Sequence, residues 1–326
     1  MRYIIYGAGG IGCTIGGRLA LAGHDVALIA RGAQLDALQT RGLTLKTPDG
    51  NHHLDLPAFG SPAEMHFGAD DVVILTMKTQ DTAGALADLE AVAGPGIPVI
   101  CAQNGVENER MAARRFANVY AMLVALPATF LEPGEVIASG APLSGALHAG
   151  RYPGGADSTI TAVCEALDGA HFTAMADPNP MRFKYRKLLL NLGNGLELLV
   201  PETSWGNTGD LGAFAASLRE EGEACYAAAG IDAMPADEYR DRVTDHYAHT
   251  PVEGKPRSGS STLQSLVRGN STSEVDYLNG EIVLLGALHG IPTPRNALVR
   301  RLAAEVMAGK RPPRKLAAAD LVSMSA

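Results

Sequence analysis

The chain has 326 residues, 46% of them hydrophobic and 19% charged, with a net charge of −8. That length favours two domains over one, and the composition supports buried cores and excludes a disordered chain. An acidic excess leaves no electrostatic footprint for nucleic acid, so no such partner is expected.

The N-terminal apolar run Tyr3-Ile4-Ile5-Tyr6 stops at glycines. It is far shorter than a signal peptide or the ~20 residues of a membrane span, so a soluble, cytoplasmic protein is expected. Cys13, Cys101, Cys164 and Cys225 are scattered. Without metal or redox spacing they read as buried thiols in a reducing compartment, and no metal site is expected.

Arg2 to Tyr6 is a strand by composition, 11–21 a helix by spacing, 25–29 a second strand and 34–41 a second helix. Pro48-Asp49-Gly50, between Leu43-Thr44-Leu45 and Leu54-Asp55-Leu56, predicts a β-hairpin that interrupts the alternation. Strand 72–76, helix 81–92 and strand 98–102 resume it, and 119–172 carries further strand-like pieces. Such alternation implies βαβ units and a mainly parallel, Rossmann-type sheet. The prolines of Ala176-Asp177-Pro178-Asn179-Pro180 mark a boundary, and from residue 181 the chain reads as helices. The expected division is therefore 1–177, a nucleotide-binding α/β domain, and 178–326, an all-α domain. Residues 254–260 read as a flexible loop, and the tail after Arg311 as loosely held.

Gly7-Ala8-Gly9-Gly10-Ile11-Gly12 fits G-x-G-x-x-G, after a strand and at the start of a helix. Gly7 permits the tight turn, Gly9 lets the backbone approach a pyrophosphate, and Gly12 lets helix and strand pack closely. The helix start, with Gly10 and Ile11, then faces the phosphates. Strand two ends in Leu28-Ile29-Ala30-Arg31 with no Asp or Glu to accept from a ribose hydroxyl. Arg31 can instead grip a 2′-phosphate, which favours NADPH over NADH, although an arginine opening a helix can also simply be solvated. Lys78 and Asn104 follow later strands, where strand ends meet a ligand crevice. A plain turn is also enough to explain Asn104-Gly105.

In the second half, 181–200 predicts an apolar helix with a polar stripe of Lys187, Asn191 and Asn194 on one face. A lysine in apolar surroundings needs partners or a job. Beside Lys184 and Arg186 it can also snorkel to the surface. Ser261-Thr262-Leu263-Gln264 precedes a second polar cluster at Glu274. Ser271-Thr272-Ser273-Glu274 fits a capping box, and Val275, Leu278, Ile282 and Leu285 predict a buried stripe.

Over nearly its whole length the chain resembles the ketopantoate reductase family. The resemblance is carried by the glycine turn, Lys78-Thr79, Gln103-Asn104-Gly105, Leu131-Glu132-Pro133-Gly134-Glu135-Val136, Lys187-Leu188-Leu189-Leu190-Asn191, Ser261-Thr262-Leu263-Gln264, Glu274-Val275-Asp276-Tyr277-Leu278-Asn279-Gly280 and His289-Gly290-Ile291-Pro292. It implies an NADPH-dependent reductase of 2-dehydropantoate, on the route to pantothenate and coenzyme A, whose halves close over the cofactor. Lys187 would be its general acid and Glu274 its active-site glutamate. Asn104 would touch cofactor and substrate. Asn191, Asn194 and Ser261 would bind substrate, while Lys78 and Arg31 would meet cofactor phosphates. Helical second halves in this family often mediate dimers, so a homodimer is expected. Three departures stand on the substrate side. Gly195 replaces an asparagine eight residues after the lysine, the interval from Gln264 to Glu274 is one residue longer, and Thr262 replaces a common methionine. Competing readings are a reductase of another 2-oxo acid or imine, a non-catalytic NADPH sensor, and a dimerisation module. The last leaves the glycine turn unexplained.

Overall fold

The apolar opening run forms β1 (Arg2–Tyr6), in which Ile4 and Ile5 are completely buried. Burying such a side chain contributes about 1.5–3 kcal/mol. The computed structural model describes residues 1–201, 209–254, 259–269 and 271–325. α1 (Gly10–Leu21), β2 (Asp25–Ile29) and α2 (Gly32–Arg41) follow. β3 (Leu43–Thr47) and β4 (Gly50–Leu54) form the expected antiparallel hairpin across Pro48-Asp49. β5 (Ala58–Phe59), β6 (Asp71–Leu75), α3 (Thr79–Ala93), β7 (Val99–Cys101), α4 (Asn108–Ala113) and β8 (Val119–Met122) restore the alternation. Then come β9 (Ala128–Thr129), β10 (Glu135–Ala138), β11 (Gly140–Pro142), β12 (Ala149–Arg151) and α5 (Ser158–Asp168).

Seven strands build one sheet in the order β12-β8-β7-β6-β1-β2-β5, parallel except for β12 against β8. This is the order of a doubly wound nucleotide-binding sheet, with its switch point between β1 and β6. One apolar cluster, including Ile15, Leu28, Ile74 and Phe172, covers one face. A second, including Ile4, Leu75, Leu89 and Phe116, covers the other. A four-stranded sheet, β4-β3-β10-β9, was not foreseen. It forms because β10 pairs in parallel with the hairpin strand β3, a long-range pairing that local sequence does not announce.

The chain continues through α6 (Pro180–Asn191), a 3₁₀ turn at Leu192–Gly195, α7 (Leu196–Leu199), α8 (Gly209–Ala229), α9 (Ala236–Arg242) and β13 (Tyr247–His249). It ends with α10 (Ser261–Val267), a 3₁₀ turn at Glu274–Tyr277, α11 (Asn279–His289), α12 (Pro294–Met307) and α13 (Ala318–Met324). Two compact units result: Met1–Lys184 with Met234–Arg257, and Tyr185–Ala233 with Ser258–Ala326. The division by packing thus differs from the boundary drawn at 177/178. Segment 234–257 returns to the first unit, where β13 pairs with β11. The described elements of the second unit are all helical.

Three local expectations are corrected. The helix predicted over 181–200 stops at Asn191, because Gly193 and Gly195 weaken a helix interior and the chain tightens into 3₁₀ geometry. Glu274 is not half of a capping box with Ser271. The Ser273 hydroxyl accepts from the Val275 amide and caps the turn that Glu274 opens. The tail after Arg311 is held by α13, which packs on α8 with Leu321 fully buried. The stripe Val275, Leu278, Ile282 and Leu285 is buried as expected. Of the predicted loop 254–260, residues 255–258 lie outside the described residues. Among the described residues no helix is long and apolar enough to cross a membrane.

Candidate nucleotide site and catalytic residues

The glycine turn joins β1 to α1 at the switch point. The amides of Gly7 and Ala8 both donate to the Ile29 carbonyl at 3.0 Å, and Thr76 Oγ1 donates to the Gly7 carbonyl at 2.8 Å. Gly7 has φ +107°, and a Cβ there would lie 2.5 Å from the Met77 amide nitrogen. A Cβ on Gly12 would lie 2.5 Å from Thr76 Oγ1 and 2.6 Å from the Gly7 carbonyl oxygen. Packing alone therefore demands glycine at 7 and 12. Gly9 differs: its φ is −94°, and a Cβ would meet no protein atom nearer than 4.0 Å. Open space above a glycine that the fold does not require is what a ligand approaching the backbone would need.

Cys13 is the first α1 residue whose amide finds a helical carbonyl, Gly9 O at 2.8 Å. The amides of Gly10, Ile11 and Gly12 stand at the helix start, with no acid in the first turn. Helix geometry makes such amides donors for an anion. Gln34, missed in the sequence, steadies the turn. Its amide nitrogen donates to Ala8 O at 2.9 Å, and its amide oxygen accepts from the Gly134 amide at 2.8 Å.

Arg31 is exposed between β2 and α2, and Lys78 is half-buried immediately before α3. Asn104 follows β7 on a turn that Gly105, at φ +78°, closes. A buried network fixes both turns. Gln103 Nε2 donates to Met77 O at 2.9 Å and to Thr82 Oγ1 at 2.8 Å. Thr82 Oγ1 donates to Asn108 Oδ1 at 2.8 Å, and Asn108 Nδ2 donates to Thr79 Oγ1 and to Asn104 O. Asn104 Oδ1 is buried with no hydrogen-bond partner among the described residues. Thr82 and Asn108 escaped the sequence reading. Their signal was a polar residue on an inward helix face and another at a helix start. Burial pushes the thiols of Cys13 and Cys164 up to about 12, so neither resembles a nucleophile.

Lys187, Asn191, Asn194, Ser261 and Glu274 all belong to the second unit. Lys187 and Asn191 are half-buried, four residues apart on α6. Asn191 Nδ2 has no hydrogen-bond partner among the described residues. Asn194 is buried on the 3₁₀ turn, not on a continuous helix face with them. That turn is pinned: Asn279 Nδ2 donates to Leu192 O and to Asn296 Oδ1, both at 3.0 Å. The Glu221 carboxylate in turn accepts from the Asn296 amide and side chain. A Cβ at Gly195 would lie 2.8 Å from Val299 Cγ1, so a side chain there would require Val299 to shift. Ser261 opens α10, which packs against the Asn194 turn and α7. Glu197 Oε2 accepts from the Ser260 amide at 2.8 Å and fixes that helix start. Glu274 is 8% exposed, and a carboxylate so buried needs partners. Lys184, by contrast, does not snorkel: it is buried inside the first unit.

The sequence family described as ketopantoate reductase PanE/ApbA matches residues 3–154, and its C-terminal counterpart matches 180–307. The 2-dehydropantoate 2-reductase of Archaeoglobus fulgidus is 29% identical over 316 residues, covering 94% of this chain and 98% of that protein. The solved PanE/ApbA family ketopantoate reductase from Ralstonia eutropha JMP134 gives a TM-score of 0.79 at 28% identity, covering 95% of this chain and 99% of that one. A ternary structure of D-mandelate dehydrogenase with NADH and anilino(oxo)acetate also gives 0.79, over 95% and 99% of the two chains. At 22% identity that likeness is one of fold. The doubly wound sheet, its glycine turn and these relatives define an oxidoreductase acting on CH–OH groups. Matched over both halves, the chain belongs to the ketopantoate reductase family.

Proposed function

We propose that this chain reduces a 2-oxo acid, foremost 2-dehydropantoate to pantoate, with NADPH as hydride donor and Lys187 as general acid. The observation that carries the reading is a half-buried lysine and an asparagine amide with no hydrogen-bond partner among the described residues, one turn apart on α6, in a chain of this family. The cofactor fits the residues present. Gly9 leaves room over the turn, three amides stand at the start of α1, and Arg31 follows β2 where an acid would select NADH. Arg31 and Lys78 would pair with cofactor phosphates, and Asn104 would hydrogen-bond cofactor and substrate.

When bound, the reduced nicotinamide supplies the hydride. Lys187 Nζ donates a hydrogen bond to the carbonyl oxygen as negative charge grows there, then gives it a proton. The Glu274 carboxylate orients the ammonium. Asn191, Asn194 and Ser261 hold the substrate's polar groups and align its carbonyl. The same reading places the reaction in the cytoplasm, on the route to pantothenate and coenzyme A, with a homodimer formed through the helical unit.

A second reading is a reductase of a different 2-oxo acid. It is favoured by Gly195, which stands on the substrate side where the resemblance leads one to expect an asparagine. NADPH oxidation measured with 2-dehydropantoate, branched 2-oxo acids and phenylglyoxylate separates the two. The highest kcat/KM is expected with 2-dehydropantoate, and preference for phenylglyoxylate would establish the second reading. Arg31→Ala is expected to lower the preference for NADPH over NADH by about 10–100-fold, the worth of a charge-assisted hydrogen bond. Tight NADPH binding with no turnover on any oxo acid would overturn both readings.

A further inference from the structure

Three residues before Lys187, the Lys184 side chain is 2% exposed, and the carboxylate it pairs with, Glu109 at the start of α4, is 0% exposed. The Lys184 ammonium also donates to Gln103 O at 3.0 Å and to Cys101 O at 3.4 Å. Burial pushes the Glu109 carboxyl above its usual range, against the pull of Lys184. Desolvating two charges costs several kcal/mol each, and an apolar pair of similar volume is often as stable or more so. Stability therefore gives no reason for an ion pair here.

An ammonium does one thing at this place that an apolar side chain cannot: it holds two carbonyls at the end of β7. The next residue along is Asn104, whose own carbonyl is held by Asn108. The Gln103-Asn104-Gly105 turn is thus gripped on successive carbonyls, which leaves the Asn104 amide free of that task. We propose that Lys184 is a positioning residue which, with Glu109 as its counter-ion, fixes the Cys101 and Gln103 carbonyls and so presents Asn104 to the cofactor. The inference rests on reading Asn104 as a cofactor contact.

The test replaces the pair by apolar groups in the full chain, as K184M/E109L. Thermal melting should show a folded protein, because relief from burying two charges offsets the donor lost to the two carbonyls. Titration of nicotinamide fluorescence should show NADPH bound about tenfold more weakly, with kcat lowered comparably, the scale expected when a contact is displaced by a fraction of an ångström. Lys184→Arg, which keeps donors for both carbonyls, should restore most of the affinity. A folded double variant with wild-type affinity and kcat would overturn the proposal. Should the double variant not fold, Glu109→Gln decides: weaker NADPH binding supports the proposal, and unchanged binding overturns it. The binding arm needs no substrate. A wild-type chain that binds NADPH but turns over no oxo acid would therefore sink the functional reading without deciding the role of Lys184.

Discussion

Gln34 and Ala8 are joined by a hydrogen bond of 2.9 Å from the side-chain amide of one to the carbonyl of the other, across the mouth of the glycine turn. The other end of the same amide holds Gly134, so α2, the turn and the loop before β10 are tied through one side chain. Gln34→Leu would leave the Gly134 amide without this partner and the Ala8 carbonyl with the weak Cys13 thiol donor, at a cost of about 1–3 kcal/mol. Thermal melting should show that loss, and NADPH titration should show weaker binding. Unchanged melting and affinity would mean that water replaces the amide without consequence.

The glycines of the turn should separate stability from binding. Gly12→Ala forces a methyl group to within 2.6 Å of the Gly7 carbonyl oxygen and should destabilise the protein outright. Gly9→Ala meets open space and should leave the melting temperature within about 2 °C of wild type, a change of well under 1 kcal/mol. Its NADPH affinity should nevertheless fall severalfold, because the methyl group fills the space above the turn. If both variants bind NADPH normally, the turn is not a phosphate cradle.

The hairpin turn is locked to α1 by charge. Arg18 donates two hydrogen bonds to Asp49, at 2.9 and 2.6 Å, and these hold the Asp49 carboxyl well below its usual range. A depressed folded pKa contributes stability that is complete above the unfolded value, about 4, and is lost as pH falls through the folded value. Asp49 is 44% exposed, so solvent screens part of the effect. The difference in melting temperature between wild type and Asp49→Asn should be constant above about pH 5 and shrink below about pH 4. A difference that does not change with pH would show that charge on Asp49 plays no part.

Much of the first unit was legible because its signals are local. An apolar strand, a glycine turn and a helix succeed one another within Arg2–Leu21, and Pro48-Asp49 names a hairpin by itself. Where packing across long sequence separations decides, the sequence was silent. The pairing of β10 with β3, the return of β13 to β11 and the burial of Lys184 against Glu109 each join residues far apart in the chain. The second unit misled in a different way. Spacing put Lys187, Asn191 and Asn194 on one helical face, but Gly193 and Gly195 end that helix before Asn194. Supporting residues such as Gln34, Thr82, Asn108 and Asn279 carry no motif, and become visible only through what their amides and hydroxyls hold.

Under the proposed function Lys187 bears the chemistry, and single-turnover reduction of 2-dehydropantoate by NADPH-saturated Lys187→Ala isolates that role from binding and product release. A positioned proton donor contributes about 10²–10⁴-fold in rate, so the variant should be slower by at least about a hundredfold, with its NADPH affinity essentially that of the wild type. A variant that turns over at the wild-type rate would remove Lys187 from the reaction.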